Sequence, residues 1–146
     1  MNTPVQPTTI PGIRAGEPVL RPERGIEALY ATGHWLLGRQ RPVDAASVFR
    51  AMTLLAASDE RAWLGLAACH EAVEQALLAL EILGTGQALL PYSVRIRLAR
   101  ARLLSALERD GEAELALAVA RDLADERGDD ELVTLVSAEL AQTRSP

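Results

Sequence analysis

The chain has 146 residues, of which 49% are apolar, 24% charged and only 3% aromatic, with a net charge of -5 in which all fifteen basic residues are Arg. That length suits one domain with a real core. The apolar content excludes overall disorder, no apolar run approaches the ~18 residues of a membrane span, and the acidic balance argues against nucleic acid as a partner.

Residues 1–25 carry Pro4, Pro7, Pro11, Pro18 and Pro22, with Gly12, Gly16 and Gly25. Proline lacks an amide donor and biases its predecessor away from the helix, so this stretch reads as an extended or disordered arm. Residues 26–146 read as a helical domain. Ala and Leu make up about a third of the chain; both favour helix, and β-branched residues are scarce. Ile26, Leu29, Tyr30, Gly33, Leu36 and Leu37 recur at helical steps. Pro42 ends or offsets that helix, and Asp44 is placed to cap the next, with Ala45, Val48, Phe49, Met52 and Leu55 on one face. Ser58 and Asp59 offer a cap for a third helix through Trp63, Leu66, Ala67 and His70. A fourth runs from about Gln75 to Leu83, broken by Gly84 and Gly86. A fifth covers Ser93 to Arg109, stopped by Asp110-Gly111. A sixth runs from Glu112 to Glu126, closed by Gly128. Asp129 or Asp130 caps a seventh.

Helix pairs therefore recur at 26–57, 59–88 and 93–126, a spacing of roughly 30 to 36 residues that is the period of tetratricopeptide repeats. The expected fold is all-α: antiparallel helix pairs stacked as about three such repeats with a C-terminal helix, an α-solenoid. One pair cannot bury its apolar stripe alone, so neighbours stack it. Gly33, Gly65, Ala45 and Ala116 are the small residues expected at close helix crossings, with Gly111 in the turn of the third repeat. The intra-pair turn of the second repeat reads as short, and Gln40 stands where a turn Gly is usual.

Within Leu29–Glu71, three stretches narrow the reading: Leu29-Tyr30-Ala31; Ala45 with Val48-Phe49-Arg50-Ala51-Met52 and Leu54-Leu55; and Asp59-Glu60-Arg61-Ala62-Trp63-Leu64-Gly65-Leu66-Ala67-Ala68-Cys69. This segment resembles the class II, or translocator, chaperones of type III secretion. The resemblance covers 43 residues without a gap, about 30% of the chain. It implies a bacterial cytoplasmic chaperone without catalysis or cofactor. Such a chaperone holds an extended, Pro-containing segment of a hydrophobic translocator in the concave groove, and homodimerisation through N-terminal segments is common. His34 and Leu37 stand where the family carries aromatic residues. The alternative is a general repeat scaffold, or a chaperone for another export component such as a needle subunit.

The groove expected from helical spacing comprises Tyr30, His34 and Leu37 on the first helix and Ala62, Leu66 and Cys69 on the third, with His70 beside them. Such a surface suits an extended peptide, with apolar anchors in pockets and Tyr and His supplying hydrogen bonds. No catalytic or metal site is expected. Cys69 and His70 are adjacent on a helix and point about 100° apart, so they form no dyad. His34 and His70 would need to converge across helices to hold a metal. The chain has no Lys, so Gly84-Thr85-Gly86 is no phosphate loop. Arg95, Arg97, Arg100 and Arg102 read as a solvated face paired with the acids of the sixth helix. Trp63 reads as core, and Trp35 as a contact for the arm or a second subunit. One Cys excludes an internal disulfide, and no secretory signal is evident.

Overall fold

The computed structural model describes residue 4 and residues 21–145. Seven helices follow one another: α1 (Pro22–Gly38), α2 (Pro42–Leu55), α3 (Glu60–Ala72), α4 (Ala76–Leu89), α5 (Val94–Ala106), α6 (Asp110–Glu126) and α7 (Asp130–Thr143). There is no strand among the described residues. Each helix packs on the next in the chain, and α1 also meets α3, α3 meets α5, and α5 meets α7. The odd-numbered helices therefore form one layer and α2, α4 and α6 the other, as in an all-α tetratricopeptide-type solenoid.

The repeat is more regular than the sequence spacing suggests. The three intra-pair turns are each three residues long, and their middle residues Gln40, Glu74 and Glu108, spaced by 34, all take left-handed backbone with φ near 60°. In each turn the following amide reaches back to close the helix end: Arg41 to the Leu36 carbonyl, Gln75 to His70 and Arg109 to Leu104, at 2.9–3.0 Å. This backbone closure satisfies carbonyls that the helix end would leave open. The second turn is therefore as long as the others. Three non-glycine residues hold a conformation that glycine adopts without strain.

Several boundaries differ from the sequence reading, each for a local reason. Helix α1 starts at Pro22 rather than Ile26, because proline suits the first helical position, where its missing amide leaves nothing unpaired. Most of the expected arm, residues 1–3 and 5–20, lies outside the described residues. Pro42 likewise opens α2, and Asp44 sits in its first turn, accepting from Arg41 Nε at 2.9 Å instead of capping the helix. Asp59 and Asp129 do cap α3 and α7, accepting from the amides of Arg61 and Leu132. Asp110-Gly111 opens α6 instead of stopping α5.

The glycines of α4 do not break it. A Cβ on Gly86 would lie 2.8 Å from Trp63 Cγ and 3.3 Å from Ile96 Cδ1, so Gly86 is where α3 and α5 press on α4. That packing outweighs the poor helix propensity of glycine. Gly33 and Gly65 play the same part around one ring: a Cβ on either would collide with Phe49 of α2. Ala45, Ala79 and Ala113 are fully buried at equivalent positions 34 residues apart. Ala113, not the partly buried Ala116, is thus the crossing residue of the third repeat. Three apolar clusters join in series: α1–α2–α3 around Phe49 and Met52, α3–α4–α5 around Trp63, Leu83 and Ile96, and α5–α6–α7 around Leu98, Leu117 and Val136.

Candidate functional site

The odd-helix layer carries a cavity of about 520 Å³ lined by Tyr30, His34 and Leu37 of α1, by Glu60, Arg61, Leu64, Gly65 and Ala68 of α3, and by Arg95 of α5. Phe49 of α2 forms its floor. The two glycines that admit the Phe49 ring thus set the depth of this surface. Tyr30 is the central wall, with its ring 6.4 Å from Phe49 edge-on and 5.9 Å from His34.

Arg61 holds the first two odd helices in register. Its guanidinium lies 4.5 Å from the Tyr30 ring centroid, donates to Glu27 of α1 at 2.6 and 3.2 Å, and reaches the Asp59 carboxylate at 2.7–3.2 Å. These hydrogen bonds from Arg61 hold both carboxyls below their usual range and raise the guanidinium pKa further. Such charge-assisted bonds fix geometry more than a single surface pair does. One repeat later, Glu60 accepts from the Ser93 hydroxyl at 2.5 Å and lies 3.6 Å from Arg95 Nε. Ser93 also caps α5 through the Ile96 amide. Arg102 of α5 in turn bonds Glu139 of α7, bordering a second cavity of about 600 Å³ between these helices, floored by Leu117.

Tyr30, His34 and Leu37 thus share one wall. Ala62, Leu66 and Cys69 do not join them. All three are buried in the α1–α2–α3 core, and burial pushes the Cys69 thiol up to about 11, away from reactive thiolate. The reason is register. The repeat is 34 residues, so Tyr30 and His34 correspond to Leu64 and Ala68. Counting 32 instead turns the helix by two residues, about 200°, from groove to core. His70 lies on the other side of α3, donating from Nδ1 to Gln75 Oε1 at 2.7 Å beside a cavity shared with Val43, Ser47 and Arg50. The residues missed, Arg61, Leu64, Ala68 and Arg95, were recoverable by counting from Gln40 to Glu74. No three acidic, His or Cys side chains converge as metal ligands among the described residues. No described helix is long and apolar enough to cross a membrane.

The basic cluster of α5 divides between two faces. Arg95 and Arg102 lie on the groove side with Glu60 and Glu139. Arg97 donates to the Pro91 carbonyl at 2.9 Å, the contact that the Trp63 indole makes one repeat earlier with the Ala57 carbonyl, also at 2.9 Å. The sixth-helix acids Glu112 and Glu114 pair with Arg109 and Arg144 instead of this cluster.

No family model matches the chain, and no curated protein matches it. Solved structures do. The translocator chaperone SycD of Yersinia enterocolitica is 30% identical, with a TM-score of 0.75 over 82% of this chain and 90% of that one. SycD in complex with a peptide of the translocator YopD matches at 30% identity and a TM-score of 0.70, over 83% of this chain and 93% of that one. PcrH in complex with the chaperone-binding region of PopD is 27% identical, with a TM-score of 0.71 over 86% of this chain and 94% of that one.

Proposed function

The chain belongs to the translocator chaperones of type III secretion, and from that premise we propose that it binds a segment of a secreted translocator in the groove lined by Tyr30, His34, Leu37, Leu64 and Ala68. The observation that carries this reading is the cavity on the odd-helix layer, in a fold whose relatives were solved with translocator peptides. The walls are apolar, the floor is aromatic, and Tyr30 and His34 supply polar atoms at the rim. An extended segment gains affinity by placing apolar side chains in such a surface, each burial contributing roughly 1.5–3 kcal/mol. Shielding that segment keeps apolar surface of the client from self-association. The activity is binding rather than catalysis, exercised in the bacterial cytoplasm before export.

The test is co-expression with the hydrophobic secreted proteins encoded beside this chain. A translocator co-purifies with the native chain. Leu64→Arg abolishes the complex and Tyr30→Ala weakens it by about tenfold, while both variants keep a native helical spectrum. Failure of every such client to co-purify or gain solubility overturns the reading.

A further inference from the structure

Helix α4 is apolar on all sides, with Glu81 its one charged residue. A helix of that kind is normally enclosed. Here only its inner side is covered, by Trp63, Ile96 and Leu103. Its outward face exposes Leu77, Leu78 and Leu89, together with Ala88 and Thr85. Gly84 lies on this face, and a Cβ there would meet nothing within 4 Å. Gly86 has a packing reason to be glycine, whereas Gly84 has none within the chain, although glycine weakens a helix interior.

The edge of the same face is cationic. Arg97 and Arg100 are one turn apart on the back of α5, away from the groove. Neither forms an ion pair with a carboxylate among the described residues. Arg97 contacts only the Pro91 carbonyl, and Arg100 Nε is buried without an acceptor, as is Gln87 Oε1 of α4 without a donor. Burial, and then the neighbouring Arg100, lowers the Arg97 pKa. Arg100 follows Ile96 by four residues and precedes Leu103 by three, so it sits over the α4–α5 seam.

We propose that the outward face of α4, edged by Arg97 and Arg100, docks an amphipathic helix of a protein partner whose apolar stripe is bordered by carboxylates, bound while the groove is occupied. The notch at Gly84 and Ala88, flanked by Leu77, Leu78 and Leu89, lets a second helix axis approach closely, with ridges entering the groove between the leucines. The unmatched guanidiniums select acidic over basic borders. Because α4 belongs to the layer opposite the groove helices, the two sites do not compete.

The probe is a labelled synthetic helix of about 18 residues, with a Leu/Ala stripe bordered by Glu, compared with the same helix bordered by Lys. The full chain binds the Glu-bordered helix at least about tenfold more tightly, and Arg100→Glu removes that preference. Gly84→Gln raises the melting temperature, since it fills open space with a better helix former, yet weakens binding; a merely structural role for Gly84 predicts no loss. Leu64→Arg in the groove leaves the binding unchanged. Equal affinity for the two helices, absence of binding, or loss of binding in Leu64→Arg overturns the proposal without touching the groove reading. Self-association of the chain through Leu77 and Leu89 overturns it in favour of a second copy.

Discussion

At the scale of single residues, the glycines separate by what surrounds them. Gly84→Ala is expected to stabilise the chain by about 0.5–1 kcal/mol, since it gains helix propensity in open space. Gly86→Ala is expected to destabilise it by about 1–3 kcal/mol, because its Cβ would press on Trp63. Thermal unfolding of the two variants gives opposite signs. The sequence shows two glycines in one short segment and nothing that distinguishes them. The Arg61 cluster makes a second expectation. Asp59 and Glu27 have lowered pKa values in the folded chain, so the unfolded chain binds protons first as pH falls. Their contribution is complete above their ordinary values of 3.8 and 4.5 and is lost as pH drops below them toward the depressed folded values. Denaturant titrations from pH 6 to pH 2 should show stability falling below about pH 4.5, with a shallower fall in Asp59→Asn.

At the scale of elements, the 34-residue period orders turns, caps and crossings together. Gln40, Glu74 and Glu108 occupy equivalent left-handed positions. Replacing any one of them by Gly should stabilise the chain by about 0.5–1 kcal/mol, read as a rise in melting temperature, because a Cβ is strained in that conformation. These turns were hard to read from sequence because none contains the glycine that usually marks them. Helix order and the caps at Asp59 and Asp129 were legible from periodicity and side-chain chemistry. The breaks inferred at Gly84 and Gly86 were not real, since local propensity is overridden where tertiary packing uses a missing side chain.

At the scale of the whole molecule, the stacking leaves one end uncovered. Ile26 and Leu29 of α1 and Leu55 of α2 line a cavity of about 540 Å³, and Leu54 and Leu55 are 81% and 70% exposed. A solenoid end without a polar cap is an association surface, and SycD has been solved in dimer form. A second copy seated there would make the chain a concentration-dependent homodimer. Sedimentation should then show Leu55→Glu shifting the distribution to monomer with helix content retained. A distribution unchanged by that substitution would place the subunit contact elsewhere.

The amino-acid sequence alone determined the all-α class, the paired helices and the family resemblance carried by Leu29–Glu71. It did so because helical periodicity and residue volume at close crossings are local properties of the chain. Tyr30, His34 and Leu37 could be placed on one face for the same reason. Which face of α3 meets them was decided only by tertiary structure. A shift of two residues leaves the apolar pattern of α3 equally plausible, but it exchanges Leu64 and Ala68 for the buried Ala62, Leu66 and Cys69. The division of the α5 arginines into a groove pair and a back-facing pair was decided in the same way, by which neighbouring helices lie against each side.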